Sequence, residues 1–415
     1  DHLVIYPNSQ QRKHAVNGFG VLENLNIPGL IIDAKSNQVD VMGLQATLYL
    51  NGQECDIREI QMLRPRDIEK IEYHDAPSGK YAKDKLVVNF ITKQYRYGGY
   101  VQADGLQTIG YDHGDYNVAT NYVKGNNSYT VFAGANYSHV DGTETWNNEN
   151  YQFPQSLFDR ESYSRNSYRN HQEYMQFRYQ NQKGKRYWVG KFTLVNLSTP
   201  RNASSGFARE SIETDVFSNI RKKSLSPKID LNANLPLSKN QTLTLGVHGK
   251  YSANSYHRLY QEQPFEAMTD EDEKVLSFQL SAIYNYFSQK HSLSVELFHY
   301  HDVWNADYSG NCELWQHLWK GESLAFFSYN FQASRRLSLK TRIGLDWLQY
   351  HLHGDNSFSQ LSPRINTNVQ YQLNKGMLLW SFNFVNSNHG MDVINRAMIQ
   401  VNSHMMEKGM PELKK

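Results

Sequence analysis

The stretch Leu48-Tyr-Leu-Asn-Gly-Gln-Glu54 begins the part of the chain that decides the fold. Its apolar residues indicate a short strand that ends at Asn51-Gly52, a pair typical of tight turns because both residues tolerate positive φ. Asp56 is suited to cap a short helix, and Pro65 ends that helix before residues 67–71 alternate into a second strand. The apolar residues of the helix recur at three-residue spacings: Ile57, Ile60 and Leu63.

Three further segments complete a recognisable pattern. They are Glu59-Ile-Gln-Met-Leu-Arg-Pro-Arg-Asp-Ile-Glu-Lys-Ile-Glu-Tyr73, the turn Pro77-Ser-Gly-Lys-Tyr81 and the strand Val87-Val-Asn-Phe-Ile-Thr-Lys93. The whole resembles the plug domain of TonB-dependent outer-membrane receptors in their Bacteroidetes-like form. That family pairs a strand ending in Asn-Gly with "L-x-P-x-D-I-E-x-I-E", a Gly-Tyr turn and a closing "V-I-x-I-x-T-K" strand. After Tyr81 the chain departs from the family's usual "G-S-x-x-x-N-G-V", and so from its starch-utilisation subfamily.

The resemblance implies a plug domain with an N-terminal extension over residues 1–95 and a transmembrane β-barrel from residue 96 onward. We expect residues of about 16 to 93 to be compact and enclosed by strands. The expected plug core is Leu50, Ile60, Ile68, Ile71, Val88 and Ile91. The residues that carry the plug motif are Asn51, Gly52, Pro65, Asp67, Glu69, Glu72, Gly79 and Tyr81.

The composition agrees with a strand-built membrane protein. The 43 basic and 41 acidic residues nearly balance, so nothing points to nucleic acid as a partner. Aromatic residues make up 13% of the chain, a level that suits the aromatic girdles of a transmembrane β-barrel. The mean hydropathy of −0.68 is low, as expected when only every second residue of a strand faces lipid.

From residue 99 onward, segments of about ten residues alternate between apolar and polar side chains. Successive side chains of a strand point to opposite faces, so each segment has one apolar side. The residues expected to face lipid include Leu243, Leu245, Val247, Leu293, Val295, Leu297, Leu339, Ile343 and Leu345. Those expected to face the lumen include Lys340, Arg342, Asp346, Asn366 and Asn368.

The connections alternate between short and long. Short turns are expected near residues 124–128, 182–185, 237–240, 288–290, 334–336 and 374–376. Long loops are expected over residues 140–171, 198–221, 253–273 and 303–321. Short periplasmic turns and long outer loops characterise an outer-membrane barrel, whereas a soluble β-sandwich has no reason to sort loop lengths in this way.

Counting pairs gives about thirteen strands between residues 99 and 386. The receptors that the chain resembles close their barrel with 22 strands. Leu361-Ser-Pro-Arg364 and Lys408-Gly-Met-Pro-Glu-Leu-Lys414 resemble segments from the middle of such barrels. The fold class is therefore transmembrane β: a small α/β plug inside an antiparallel barrel, of which residues 96–415 supply a part without the C-terminal strands.

No catalytic, cofactor or metal site emerges from the sequence. No Gly-x-Ser-x-Gly elbow or phosphate-binding glycine loop occurs, and the acidic run Thr269-Asp-Glu-Asp-Glu-Lys274 lacks the spacing of a calcium loop, so we interpret it as a solvated loop. Cys55 and Cys312 match no zinc pattern, and we interpret both as structural. The pairs His299/His301 and His351/His353 could chelate a metal, but interfacial histidines fit an aromatic-rich barrel better.

Aromatic residues concentrate in two of the expected long loops, where flat rings could stack on sugar or peptide groups. We expect ligand contacts on the rim opposite the short turns. The alternative is that these rings pack the loops or belong to the outer girdle. The candidates are Trp146, Tyr151, Trp304, Tyr308 and Trp315.

The resemblance implies a receptor of the Gram-negative outer membrane that imports a nutrient and is not an enzyme. Its expected partners are the TonB energy-transducing complex, outer-membrane lipid, a glycan, peptide, siderophore or vitamin ligand, and a surface lipoprotein. The aromatic residues favour a glycan or a peptide. A surface adhesin or carbohydrate-binding β protein without transport is the alternative, and an outer-membrane enzyme would need a nucleophile in the lumen that the sequence does not show.

Overall fold

The N-terminal 93 residues form a small mixed α/β domain. The computed structural model describes residues 3–27, 30–33, 38–41, 44–74, 81, 84, 86–93, 95–153, 156–334, 336–354, 357–373, 376–384, 396–402 and 405–408. The strands of the small domain are β1 (Leu3–Ile5), β2 (Leu30–Asp33), β3 (Gln38–Val41), β4 (Leu44–Gln45), β5 (Thr47–Leu50), β6 (Gln53–Glu54), β7 (Ile68–His74) and β8 (Val87–Thr92). Its helices are α1 (Ser9–Lys13), α2 (Gly18–Asn24) and α3 (Ile57–Gln61). The main sheet has the order β1-β7-β8-β5-β6, and β2, β3 and β4 form a second sheet.

Local sequence signals explain where these elements begin and end. Asn51 and Gly52 have φ angles of 53° and 75°, as the predicted turn between β5 and β6 requires. Asp56 caps α3 and Glu59 completes a capping box, which confirms the predicted start of the helix. Pro65 opens a 3-10 turn that leads into β7, so the predicted order of helix, proline and strand is confirmed.

The core of the small domain confirms five of the six residues predicted for it. Leu50, Ile60, Ile68, Ile71 and Val88 all lie in one buried cluster. The prediction for Ile91 is wrong, because this residue is only half-buried. Side chains alternate along β8, so Val88 and Phe90 point into the core while Ile91 points the other way.

The rest of the described chain is a thirteen-stranded antiparallel meander, as the strand count predicted. Each strand pairs with its neighbours in sequence, and β9 and β21 are the two edges of the sheet. The strands are β9 (Tyr97–Thr108), β10 (Asp112–Lys124), β11 (Asn127–Phe153), β12 (Ser156–Lys183), β13 (Arg186–Arg209), β14 (Glu213–Ser238), β15 (Gln241–Glu262), β16 (Phe265–Phe287), β17 (His291–Gly310), β18 (Leu314–Gln332), β19 (Leu337–Leu352), β20 (Ser357–Leu373) and β21 (Gly376–Phe384).

The two faces of the meander differ in chemistry. We call the face that contacts the small domain the lumen face, and the opposite one the outer face. The pairings Val247↔Leu280, Val295↔Phe327 and Ile343↔Ile365 continue across neighbouring strands and place apolar residues together on the outer face. Arg342 and Asp346 lie on the lumen face, where they pair with Glu296 and Arg364. The predicted division of these residues between two opposite faces is therefore confirmed, and contact of the outer face with lipid stays a prediction.

The long loops predicted between strand pairs are wrong. Residues 140–171, 198–221, 253–273 and 303–321 belong almost entirely to β11–β18. Residues 210–212, 263–264 and 311–313 join successive strands, whereas residues 154–155 between β11 and β12 lie outside the described residues. The acidic run 269–274 likewise lies within β16. Strands of 27 and 28 residues are about 90 Å long, far more than the roughly 30 Å of a bilayer core. Beyond the apolar band both faces carry a mixture of polar and aromatic residues, so the alternation that reveals a membrane strand disappears from the sequence.

The turns that the structure describes at the other end of the meander agree with the prediction, whereas residues 335 and 374–375 of the predicted turns lie outside the described residues. Gly125 and Gly184 have φ angles of 62° and 60° in the two-residue turns that follow β10 and β12. We call this end the short-turn end, and the opposite one the far end. No helix within the described ranges is long and apolar enough to span a membrane.

A short C-terminal segment packs against the lumen face near the far end. Strands β22 (Met398–Gln400) and β23 (Met406–Lys408) pair antiparallel. Both Arg258 guanidinium nitrogens, Nη1 and Nη2, donate to the backbone carbonyls of Gln400 and Val401. These hydrogen bonds hold segment 396–402 against the lumen face of β15.

Candidate functional site

The small domain docks on the lumen face through a buried carboxylate. Glu59 of α3 is 1% exposed, and its Oε1 accepts a hydrogen bond of 2.8 Å from Gln176 Nε2. Its carboxylate also lies 3.6 Å from Lys191 Nζ and 3.7 Å from Arg178 Nη1. One charge from the small domain therefore faces two cations from β12 and β13.

The charges continue into the sheet beyond this first contact. Lys191 Nζ lies 3.6 Å from Asp230 Oδ2, and Asp230 Oδ1 lies 2.7 Å from His248 Nδ1. The Lys191 ammonium also donates to the backbone carbonyl of Glu54 at 2.7 Å. Alternating charges thus connect α3 of the small domain with β13, β14 and β15. We call Glu59, Arg178, Lys191, Asp230 and His248 the docking cluster.

Apolar and cation–π contacts surround this polar centre. Met62 packs in one buried cluster with Ala119, Phe132 and Tyr174 of the sheet. Arg58 Nη2 donates to Gln172 Oε1 at 3.0 Å, and its guanidinium lies 5.2 Å from the centroid of the Tyr174 ring. The docked surface therefore combines burial, hydrogen bonds and charge.

The docked surface leaves a cavity of about 160 Å³ beside the 3-10 turn, near the turn at Gly125. Arg64, Asp67, Tyr95 and Tyr100 line it together with polar residues of β11 and β12. The Arg64 guanidinium stacks 3.5 Å from the centroid of the Tyr100 ring. The cavity and its polar lining place the small domain close to the short-turn end of the sheet.

At the far end the lumen face presents buried aromatic residues beside carboxylates. Trp304 and Tyr308 are 4% and 5% exposed. The Trp304 indole N–H donates to Glu273, and the Tyr308 hydroxyl donates to Glu271 Oε1 at 2.7 Å. Burial raises the pKa of the Glu271 carboxyl, and the Glu273 charge adds to that effect against the Tyr308 hydrogen bond. Segment 396–402 covers the two rings through Ala397 and Ile399.

A second lumen-face group at this end centres on Arg160, which is 5% exposed. Its Nη2 lies 2.7 Å from Glu262 Oε1 and 3.2 Å from the Tyr260 hydroxyl, while its Nη1 lies 3.0 Å from Glu210 Oε1. Burial and the hydrogen bond to Glu262 raise the pKa of Tyr260 to about 12. Tyr151, one of the predicted candidates, lies near Arg160 and donates to Glu149 at 2.8 Å.

The other two aromatic candidates lie on the outer face. Trp146 is 62% exposed and packs 4.6 Å from the Tyr163 ring, measured between centroids. Trp315 is 52% exposed and lies 5.1 Å from the His353 ring. All five candidates are at the far end, as predicted, but the prediction that they lie in two long loops is wrong, because they belong to strands β11, β17 and β18. Because side chains alternate along a strand, Tyr151, Trp304 and Tyr308 face the lumen while Trp146 and Trp315 face outward.

A small α/β domain with the motif of residues 48–93, docked on the polar face of an antiparallel meander with an apolar outer face, decides the assignment. The arrangement is similar to the plug and barrel of TonB-dependent outer-membrane receptors. We therefore refer to the small domain as the plug and to the meander as the wall.

Three of the solved structures that match this chain are distant from it. The copper transporter OprC shares 10% identity at a TM-score of 0.39, over 92% of this chain and 80% of its own. The ferric yersiniabactin uptake receptor FyuA of Yersinia pestis shares 10% identity at a TM-score of 0.38, over 92% and 79%. The ferric citrate transporter FecA shares 10% identity at a TM-score of 0.34, over 89% and 74%. No family model and no curated protein matches the chain.

The residues of the plug motif hold the plug together. Asn51 accepts a hydrogen bond of 2.9 Å from the backbone N–H of Thr92, and Gly52 N–H donates to Asn89 Oδ1 at 2.9 Å. The carboxylate of Asp67 pairs with Arg64 at 2.6 Å and accepts a hydrogen bond of 2.9 Å from the Tyr95 hydroxyl.

The remaining motif residues vary in their surroundings. Glu72 accepts hydrogen bonds from Lys70 at 2.7 Å and from Asn89 at 2.9 Å. The Tyr81 ring is buried and lies edge-on to the Tyr49 ring at 4.7 Å. Glu69 is exposed, and Gly79 lies outside the described residues. The motif is therefore mainly structural.

Sequence reasoning missed the docking cluster and the Arg160 group. Each brings together charges that are more than 50 residues apart, such as Glu59 with Lys191 and Arg160 with Glu262. The sequence did contain one signal. Arg178 and Lys191 are basic residues at strand positions whose side chains alternate towards the lumen face. That parity shows which face a charge occupies, but not which partner it meets.

Proposed function

We propose that this chain is the plug and part of the barrel of an outer-membrane receptor of a Gram-negative bacterium. The receptor binds a specific nutrient outside the cell and imports it by energised movement of the plug, in partnership with TonB. We assign residues 1–95 to the plug and residues 96–415 to the barrel wall. The mechanism is gated transport without covalent chemistry.

The observation that carries this proposal is the docking cluster. It attaches the plug to the barrel wall through charges and hydrogen bonds, with a cavity beside it. When the plug is pulled away from the wall, water can solvate the charges that were paired across this surface. A continuous apolar core between plug and wall would instead hold the plug in place. The contact is therefore suited to reversible displacement.

The two ends of the lumen face have separate roles in this proposal. The plug docks near the short-turn end, and the buried aromatic and charged groups lie at the far end. A ligand that enters from outside arrives at this end, where Tyr151 and the neighbouring carboxylates lie beside the buried Arg160. Trp304 and Tyr308 lie beneath segment 396–402, so the ligand contacts these two rings when that segment is displaced. Rings beside hydrogen-bonding charges suit a glycan or a peptide, because flat apolar faces and polar groups are both presented.

The identity of the imported nutrient is a separate part of the proposal. The solved structures named above are described as receptors or transporters for copper, ferric yersiniabactin and ferric citrate. We therefore keep a siderophore and a vitamin beside the glycan and the peptide as candidate ligands. A surface lipoprotein that covers the far end fits the glycan and peptide alternatives.

A cross-link between plug and wall tests import directly. Arg58→Cys and Gln172→Cys, made where the native side chains are hydrogen-bonded at 3.0 Å, place one thiol on each side of the docked surface. Cys55 and Cys312 are replaced by Ser to leave only this pair. A cleavable bifunctional methanethiosulfonate reagent then joins the plug to the wall in cells. We measure uptake of ferric citrate, copper(II), a maltooligosaccharide and a tetrapeptide, with and without an uncoupler.

We expect one of these probes to be taken up only in energised cells, to stop entering after cross-linking and to enter again after reduction. Each single-cysteine variant, treated with the same reagent, is the control. Uptake that persists with a cross-linked plug contradicts the proposed mechanism. Surface binding of a probe without uptake would favour an adhesin or a carbohydrate-binding protein.

A further inference from the structure

A row of basic side chains crosses the outer face beyond the apolar band. Arg169 of β12 is directly opposite Arg201 of β13, and Arg201 lies in a bulge opposite Arg221 of β14. β12 pairs with β11 without a register shift from Arg169 to Phe177, and β14 pairs with β15 without one from Arg221 to Ile229, so Arg169 and Arg221 share the outer face with Phe177 and Ile229. Lys223 follows Arg221 two residues nearer the band. We call Arg169, Arg201, Arg221 and Lys223 the basic row; all four are exposed.

The middle of the basic row has no acidic partner in the part of the chain that the structure describes. The side chains of Arg201, Arg221 and Lys223 make no ion pair or hydrogen bond there. Like charges directly opposite each other on neighbouring strands destabilise a sheet. An arrangement of this kind is stabilised when an anion binds between the cations.

Acidic residues lie only at the two flanks of the row. On β11, Asp141 lies 2.7 Å from His139 Nε2, and the same ring nitrogen accepts a hydrogen bond of 3.0 Å from Arg169. On β16, Asp270 pairs with His257 of β15. Asp272 of β16 lies on the same face, two residues nearer the band and opposite Ser255 of β15. At least one strand separates the carboxylates of β11 and β16 from Arg201, Arg221 and Lys223, so the cations of β13 and β14 remain available to a ligand.

The distance between the basic row and the end of the apolar band indicates which anion the row binds. Lys223 and Arg221 are two and four residues beyond Leu225, where the continuous apolar series on the outer face of β14 ends; Phe217 is the next apolar residue of that face. Those separations are about 7 and 13 Å along the strand, and less along the membrane normal because barrel strands are tilted. A headgroup layer adds roughly 5–8 Å to each side of the hydrocarbon core, and long basic side chains reach along it.

We propose that the basic row binds the phosphate groups of a phosphorylated lipid headgroup at the far-end margin of the bilayer. Two guanidinium groups on neighbouring strands can each form paired hydrogen bonds to phosphate, while the adjacent apolar band contacts the acyl chains. The inference rests on the membrane-spanning part of the proposed function and is independent of import.

Native mass spectrometry of the protein in a nonionic detergent tests this site. The protein is titrated with lipid A that carries two phosphates, and lipid-bound species are counted. We expect Arg201→Gln combined with Arg221→Gln to weaken binding at least tenfold. Lys239→Gln, an exposed basic residue in the turn after β14 at the opposite end, should bind as the unaltered protein does.

Two further measurements complete the test. The unaltered protein should bind dephosphorylated lipid A at least tenfold more weakly, a comparison that does not depend on a variant folding. Inorganic phosphate at the same concentration should not displace the lipid. Equal binding by the double variant, equal binding of the dephosphorylated lipid, or displacement by inorganic phosphate would each overturn the proposal. A protein that remains soluble without detergent would instead overturn the membrane-spanning part of the proposed function.

Discussion

Replacing Glu59 by Gln separates the charge of the docking cluster from its shape. Glutamine keeps an oxygen that can accept from Gln176 and can still take part in the capping box of α3. It removes the negative charge that lies within 3.7 Å of Lys191 and Arg178. The variant therefore tests whether charge holds the plug against the wall.

The magnitude follows from the surroundings of the carboxylate. Removing one partner from a buried ion pair costs about 3–5 kcal/mol, because the other charge is left unpaired. The effect is smaller here, since Lys191 retains Asp230 at 3.6 Å and the amide retains hydrogen bonds. We expect the docked state to lose about 2–3 kcal/mol, which corresponds to a roughly 30- to 150-fold greater population of the released plug.

Hydrogen exchange measured by mass spectrometry provides the assay. Amides of α3 should exchange faster by that factor in Glu59→Gln, whereas amides of β7 and β8 should keep their protection if the plug stays folded. Glu69→Gln, an exposed glutamate of the same domain, is the matched control. Equal exchange of α3 in the two variants would refute the view that the Glu59 charge holds the plug.

Three more outcomes are expected. Arg342→Ala leaves the buried Glu296 without its partner at 2.6 Å, so the temperature at which heat-modified gel mobility is lost should fall, and Glu296→Ala in the same chain should recover part of the loss of about 3–5 kcal/mol. Trp304→Ala should weaken binding of any probe that is taken up by roughly tenfold or more, while Trp315→Ala on the outer face should leave the affinity unchanged. The folded-state pKa of Glu271 is raised, so the folded state binds the proton more tightly and gains stability as the pH falls through that pKa, above 4.5; Glu271→Gln should flatten this dependence in thermal unfolding.

Much of the fold could be predicted from local patterns. A turn at Asn51-Gly52 needs residues that tolerate positive φ, and a helix after Asp56 needs a cap, so both are visible in the sequence. Within the membrane, lipid on one side makes every second residue apolar, and this period assigned the faces of Leu245 and Ile343 correctly. Each of these features depends only on neighbouring residues in the sequence or on the surrounding solvent. None of them requires contacts between remote segments of the chain.

The sequence alone did not show where the strands end. Outside the bilayer both faces of β11–β18 meet water or polar groups, so the alternation fades and residues 140–171 resemble a loop. The backbone hydrogen bonds of the neighbouring strands extend the sheet regardless of side-chain polarity. The same error treated Trp146 and Trp315 as loop residues that share a rim with Tyr151, Trp304 and Tyr308. A loop has no parity, whereas a strand sends alternate residues to opposite faces.

The functional contacts were decided only by the tertiary structure. Glu59 meets Lys191 because the plug docks on the wall, and Arg160 meets Glu262 because β12 and β15 approach each other across the lumen face. Nothing near Glu59 in sequence distinguishes it from the exposed Glu69, although only one of the two is buried. By itself the sequence determined which residues form strands and turns and which face lipid. The pairing of charges required the folded chain, because burial and distance arise only when remote segments pack together.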